Sequence, residues 1–265
     1  MPDNKLRKLE DIIKDTGPMA ILFSGGVDSS LLAVVSRKVL GKDHICILLD
    51  SPLIPGSAVD NARKIADENN LELHVLNFNP LEIRDIRKNP KDRCYHCKKQ
   101  IIKTAKEYAS SLGFAIIADG TNVSDTQTLR PGLAACREEG IFHPFISAGI
   151  SKADIRQIAR QEKYDFWGLP SSACLASRIP YGEMLDSGKL RKIEQGEDIL
   201  HRMGFLQCRM RLHDEGNLAR IEVPAEQIPT AVLKKDELVR HLKTTGITHV
   251  CLDLKGYRSA SMDET

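Results

Sequence analysis

No apolar run in this 265-residue sequence is long enough to cross a bilayer. The opening MPDNKLRKLEDIIKD mixes acids and bases on an amphipathic helix, where an export signal would need an unbroken apolar stretch. A cytoplasmic protein with no membrane partner is expected. Charge of one sign is also scarce: 38 Lys and Arg against 36 Asp and Glu leave a net charge of +2, with a sequence pI of about 8.1. That falls short of the basic excess of a dedicated nucleic-acid binder and suits a small anionic substrate better. Internal repeats and low-complexity segments are absent as well. The cysteines are the other shortage. There are seven, and two of them, Cys94 and Cys97 in DRCYHCKKQ, form a C-x-x-C with no second pair to complete a four-thiolate zinc site. A reducing compartment argues against structural disulfides and leaves metal binding or catalysis.

What is present reads as an ordinary globular chain, 42% hydrophobic and 28% charged. From residue 18 onward short apolar runs alternate with helical periodicity. PMAILFS, HICILLD, LELHVLNF and FAIIADG read as strands, and DSSLLAVVSRKVLG, SAVDNARKIADENN and a segment near 95–112 as helices. Continuous apolar strands separated by helices predict a doubly wound parallel sheet covered on both faces. The alternation stops near residue 120, and 121–140 reads as a long loop with a turn of helix at most. Ser151 then caps a helix, with Asp154 closing a capping box. GLPSSACLASRIPYGE reads as loop. A helix over 186–203, strands FLQCRMRLH and NLARIEV, a helix over 225–243 and the strand THVCLDLKGY make a small α/β unit, expected to be ferredoxin-like. Two domains follow, 1–180 and 181–265.

The first strand runs into Ser24-Gly25-Gly26-Val27-Asp28-Ser29, and a helix begins at once. Paired glycines allow a tight turn and close backbone approach, and the helix N-terminus offers N–H groups to an anion. This is a phosphate site without the spacing or the lysine of a Walker A loop. Further along, Arg209, Arg211 and His213 recur at period two, with Cys208, Met210 and Leu212 on the opposite face. Guanidinium forks suit a phosphate or carboxylate, although a solvated basic face paired with Glu222 stays open. On the preceding helix Glu194, Glu197 and Asp198 are candidates to hold metal or bond substrate. Cys46, Cys208 and Cys251 fall in strand patterns and read as small core residues, whereas Cys136 gives no signal. His96 reads as exposed, and Lys98 and Lys99 would favour thiolate at the pair.

SGGVDSS at a strand-to-helix junction resembles the PP-loop of the ATP pyrophosphatases, and Gly120-Thr121-Asn122 in ADGTNVSD resembles the stretch that closes on the nucleotide in that superfamily. Together with RCYHCKK, PSSACLASRIPYG and LKGYRSASMDE, these residues resemble the LarE family of ATP-dependent sulfur transferases along nearly the whole chain. The resemblance implies ATP and Mg²⁺ as cofactors, Asp28 in the adenylation machinery, and a carboxylate of pyridinium-3,5-biscarboxylic acid mononucleotide as the group activated and converted to a thiocarboxylate. It adds Arg178 and Arg258 to Glu197, Arg209 and Arg211 as candidate substrate residues, and makes 181–265 a substrate-binding and oligomerisation domain of a homo-oligomer. In one branch the cysteine matching Cys174 gives up its own sulfur. In the other it joins a C-x-x-C pair on a [4Fe–4S] cluster, and this chain has that pair. Three thiolates on three irons leave one iron open to sulfide from an external source. A zinc half-site or a surface redox pair remains open for Cys94 and Cys97. Two rivals remain: a transfer-RNA thiolase with the same cysteine set, which should show an RNA-binding appendage or a basic patch, and a nucleotide-binding redox sensor without catalysis.

Overall fold

The computed structural model describes residues 2–127, 131–170 and 173–258. Ser171 and Ser172 of the cysteine loop, residues 128–130 and the terminal SASMDET lie outside the described residues. The chain divides into two compact units: residues 1–78 with 92–172, and 79–91 with 173–265. The expected division at 180 differs from this in two ways. The segment carrying Cys174 and Arg178 packs in the second unit, and that unit also takes the short stretch 79–91.

In the first unit, α1 (Pro2–Thr16) leads into β1 (Met19–Leu22), α2 (Val27–Leu40), β2 (His44–Asp50), α3 (Gly56–Glu68) and β3 (Leu73–Asn77). After the detour through the second unit, which includes the single turn α4 (Arg84–Arg87), the chain returns as α5 (Arg93–Ser111), β4 (Ile116–Asp119), α6 (Pro131–Glu138), α7 (Pro144–Ala148) and α8 (Lys152–Gln161). The strands form a parallel sheet in the order β3-β2-β1-β4. All four residues of β1 and the first six of β2 are buried, as unbroken apolar runs require when helices cover both faces. Leu9 and Ile13 of α1 and Leu31 and Leu32 of α2 pack into the same core. The fold is therefore the doubly wound α/β domain read from the alternation. Because β2 and β4 flank β1 on opposite sides, the chain reverses its winding there, and the carboxyl ends of β1 and β4 border the crevice where such sheets bind ligands.

One detail departs from expectation in this unit and two in the other. The stretch 121–140 contains a 3₁₀ segment, Val123–Gln127, and the eight-residue helix α6, which buries Ala135 and Cys136. The Ser151 capping box is complete: its side chain accepts from Asp154 N at 3.3 Å, and Asp154 Oδ2 accepts from Ser151 N at 2.8 Å. In the second unit, α9 (Ser187–Arg202), β5 (Arg209–His213), β6 (Leu218–Glu222), α10 (Ile228–Leu233), α11 (Lys235–Lys243) and β7 (His249–Leu252) follow. The helix expected over 225–243 is broken at Lys234, whose backbone leaves helical geometry (φ −92°, ψ 14°). The sheet is not ferredoxin-like. Its order is β5-β6-β7, with β7 directly beside β6 and parallel to it, where a split βαβ unit would place another strand between them. Stretch 79–91 is tied in by Asn89, fully buried, whose amide donates to Pro180 O at 2.8 Å, and by Leu185 N donating to Arg87 O at 2.8 Å.

Among the described residues no helix is long and apolar enough to cross a membrane. Ser151→Ala should lower the unfolding free energy by about 1 kcal/mol, the usual value of an N-cap. Urea denaturation reads this directly, and an unchanged transition would show the cap to be dispensable.

Candidate nucleotide and cysteine sites

The loop after β1 is built so that side chains are excluded. Gly25 adopts φ +69°, and a Cβ there would lie 2.7 Å from Ala62 Cα on α3. The Asn61 amide donates to Gly25 O at 3.3 Å and pins the turn from the same helix. Ser29 Oγ donates to Gly26 O at 3.2 Å, and Ser24 N donates to Ser29 Oγ at 3.2 Å. No side chain caps α2, so its first-turn amides are left for a ligand. Gly120 backs onto this turn: a Cβ at Gly120 would sit 2.9 Å from the Asp28 carbonyl carbon and from Ser29 N. Asn122 is buried and its amide donates to Asp28 Oδ2 at 3.5 Å. Ser24 to Ser29 and Gly120 to Asn122, two stretches far apart in sequence, are thus one constellation.

They border a cleft of about 470 Å³ lined in part by Ser24, Asp28, Lys98, Asp119, Thr121 and Lys152. Asp28 Oδ1 is buried there with no hydrogen-bond partner among the described residues, and a cation or a polar ligand group would satisfy it. Burial lifts the Asp28 carboxyl above its ordinary value, against the opposing charge of Lys152, whose Nζ lies 3.4 Å from Oδ2. Sequence reading missed Lys152, yet the signal was available: it follows the cap Ser151 and so begins a helix that points its first turn at the cleft.

Asp119, at the end of β4, is the most heavily bonded acid here. Oδ2 accepts from Lys98 Nζ at 2.9 Å, and Oδ1 accepts from Thr121 N at 3.0 Å and pairs with His143 Nδ1 at 2.8 Å. Burial acts to raise this carboxyl, but Lys98 and then His143 more than reverse it and hold it well below the usual carboxylate range. Lys98 is therefore committed to Asp119, and Lys99 to Glu138 at 2.9 Å. The expectation that both lysines act on the C-x-x-C pair is corrected: the cation at Cys94 is Arg93, with Nη2 3.8 Å from the sulfur. Cys94 is exposed and Cys97 half-buried, one turn apart at the start of α5. His96 pairs with Asp92 at 3.2 Å.

None of the seven cysteines is disulfide-bonded. Burial pushes the Cys46 and Cys208 thiols up to about 12, which keeps these core residues protonated. Cys251, expected in the core, is exposed because β7 is an edge strand with one neighbour. Cys174 is half-buried and precedes a 3₁₀ turn, Leu175–Arg178, in the second unit.

The second unit also holds the arginines. Arg178 and Arg211 are buried, and each presents a guanidinium edge to a buried acid, Glu197 and Glu222 respectively, at 2.9–3.1 Å. The basic row is therefore not a solvated face. Arg209 donates to Cys208 O at 2.7 Å and lies over the Tyr257 ring, and no carboxylate partner for it is found among the described residues. Arg258 donates to Gly256 O at 2.9 Å and reaches Asp253 at 3.4 Å. Among the described residues no three His, Cys, Asp or Glu side chains are gathered as a metal site.

A parallel sheet with this glycine loop at its switch point is a PP-loop ATP pyrophosphatase domain. The family described as thiamine biosynthesis protein (ThiI) matches residues 15–181. Pyridinium-3,5-bisthiocarboxylic acid mononucleotide synthase of Lactiplantibacillus plantarum is 31% identical over 254 residues, 96% of this chain and 91% of that protein. Uncharacterized proteins of Synechocystis sp. and Methanocaldococcus jannaschii are 35% identical over 265 residues and 31% over 258, covering 99% and 96% of this chain and 98% of each relative. With these matches along its length, the chain belongs to the LarE family of PP-loop, ATP-dependent sulfur transferases.

Asp119→Asn should destabilise the protein by about 3 kcal/mol, because it strands the Lys98 charge. A carboxylate depressed on folding contributes stability that is complete above its unfolded value near 3.9 and is lost as pH falls toward its folded value. The difference between wild type and variant should therefore be full at neutral pH and shrink below about pH 4. Equal stability at pH 7 would refute this role for the carboxylate.

Proposed function

We propose that the protein adenylates a carboxylate of pyridinium-3,5-biscarboxylic acid mononucleotide and converts the acyl-adenylate to a thiocarboxylate, a step toward the nickel-pincer nucleotide cofactor. The carboxylate oxygen attacks the α phosphorus of ATP and pyrophosphate leaves. Sulfide then adds at the acyl carbon and AMP departs, giving thiocarboxylate and a proton. The observation that carries this reading is the cleft at the carboxyl ends of β1 and β4, where a loop with no room for a side chain at Gly25 and a capless helix meet Asp28, Lys98 and Lys152. Loop amides and the two ammonium groups would stabilise charge growing on the departing pyrophosphate. Asp28 Oδ1, buried and without a partner among the described residues, fits Mg²⁺, which when bound would neutralise phosphate charge.

For the sulfur we propose thiolate ligation of a [4Fe–4S] cluster by Cys94, Cys97 and Cys174, supported by the donor chemistry and by the exposure of Cys94 and partial exposure of the other two. The cluster would supply an exchangeable sulfide from an external source as the nucleophile. The two cysteines of α5 share one face at the positive end of the helix, where thiolate is favoured. Arg209, which has no acid partner among the described residues, is the proposed anchor for a substrate anion, with Arg258 beside Gly256 as a second donor. The protein is proposed to act in the cytoplasm as a homo-oligomer.

With ATP, Mg²⁺ and the mononucleotide, AMP and pyrophosphate should accumulate; ADP and phosphate would overturn the adenylation step. Asp28→Ala should lose adenylation, whereas Cys174→Ser should keep it and fail to transfer sulfur. Failure of both at the same step would erase this separation of roles.

The source of sulfur is tested by the polypeptide itself. Anaerobic protein supplied with sulfide should make more than one thiocarboxylate per chain with its mass unchanged. One product per chain, with Cys174 converted to dehydroalanine and the mass of H₂S lost, would make Cys174 the donor and leave adenylation standing.

A further inference from the structure

The two buried arginines of the second unit spend their donors in the same way. Arg178 sets Nε and Nη2 against Glu197 at 2.9 and 3.0 Å, and Arg211 sets the same two atoms against Glu222 at 3.1 and 3.0 Å. The remaining nitrogen of each reaches backbone carbonyls of one short segment. Arg178 Nη1 donates to Ala173 O and Cys174 O, both at 3.0 Å, and Arg211 Nη1 donates to Ser177 O at 2.8 Å. Ser177 Oγ donates to Cys174 O at 2.8 Å and closes the turn from inside.

The acids are themselves fixed. Glu197 Oε1 also accepts from Met210 N at 3.1 Å, and Glu222 Oε1 from Arg220 Nη2 at 3.3 Å. Glu222 has no exposed surface, and Arg178 and Arg211 are 2% and 4% exposed. A substrate oxyanion taking either fork would have to displace a buried carboxylate and leave it uncompensated, which is costly. A carbonyl of the chain carries no net charge and needs no such displacement.

We propose that Arg178 and Arg211 are positioning residues that hold the backbone around Cys174, with Glu197 and Glu222 as their supports, and that they are not substrate ligands. The assignment goes beyond the adenylation reading and does not rest on it. It concerns how the thiol at Cys174 is presented, whatever that thiol then does. Arg209, without an acid partner among the described residues, is left as the substrate donor of the row.

The test compares wild type with Arg211→Lys, Arg178→Lys and Glu222→Gln. Timed iodoacetamide labelling of the protein as purified, followed by peptide mass spectrometry, reads the reactivity of Cys174, with the exposed Cys251 peptide of the same digest as internal reference. Each variant should change the Cys174 labelling rate several-fold relative to the Cys251 peptide, which lies outside the proposed cluster set and is the standard against which the rates are read, while calorimetric titration with pyridinium-3,5-biscarboxylic acid mononucleotide shows the wild-type affinity. Glu222→Gln keeps the size of the side chain and serves where an arginine variant fails to fold. An unchanged Cys174 rate overturns the proposal. So does an affinity loss of about tenfold, the effect of removing a charged hydrogen bond from an oxyanion. Pyrophosphate release measured alongside keeps a failure of adenylation distinct from either result.

Discussion

The buried carboxylate of Asp119 is where the catalytic unit is tied together. One side chain at the end of β4 receives Lys98 from α5, the Thr121 amide from the nucleotide loop, His143 from the segment before α7 and, at 3.7 Å, the Cys136 thiol of α6. Two helices and a loop are thus fixed to the sheet through two oxygens, together with the His143 segment, which a β-bridge between Ala118 and Phe142 already ties to β4. The next residue, Gly120, must then pass against Asp28 and Ser29 with no room for a side chain. The geometry of the phosphate loop, of its closing stretch and of the helix carrying Cys94 and Cys97 thus has one common reference point. It also explains why the ammonium of Lys98 is at the cleft at all: without a buried counter-charge, burying it would cost several kcal/mol.

The second unit uses the same device for another purpose. Here too a buried acid fixes a cation, but the cation is a guanidinium, whose planar fork bonds an acid along one edge and still has donors left on the other. A lysine can also bond an acid and a carbonyl at once, as Lys189 does with Glu183 and Met184 O, but its ammonium rotates about its stem, whereas the rigid guanidinium plane fixes the directions of both edges together. The choice of arginine at 178 and 211 and lysine at 98 follows from what each must do with its remaining hydrogens.

Much of the first unit was legible because its signals are local. The unbroken apolar runs of β1 and β2, the Ser151-to-Asp154 spacing and the paired glycines each lie within a few residues. What could not be read depends on contacts distant in sequence. Glu197 is 19 residues from Arg178, and although a pairing of the row with Glu222 was open from the sequence, nothing local to 209–213 showed that the pair would be buried and Arg211 already committed. Helix α6 was hidden behind a polar approach and Pro131. It is stabilised by packing on α5, where a Cβ added at Gly132 would lie 3.9 Å from the Cys94 carbonyl oxygen. Cys251 shows a third kind of miss: alternation marks a strand but does not say whether it has one neighbour or two.

Burial sorts the cysteines by the chemistry open to them. Cys46, Cys136 and Cys208 are inside, and burial pushes their thiols to about 12, 11 and 12, too high for thiolate chemistry near neutral pH. Cys251 is exposed, but it sits on a regular edge strand opposite Arg220, where the sheet fixes its direction. Cys94 and Cys97 stand at the start of a helix whose second turn is anchored by Asp119, and Cys174 stands in an irregular segment anchored by two arginines. A thiolate that must bind iron or attack an acyl carbon needs both access and a backbone that stays in place; Cys94, Cys97 and Cys174 combine the two in segments held by buried ion pairs, and Cys251 combines them on a regular strand.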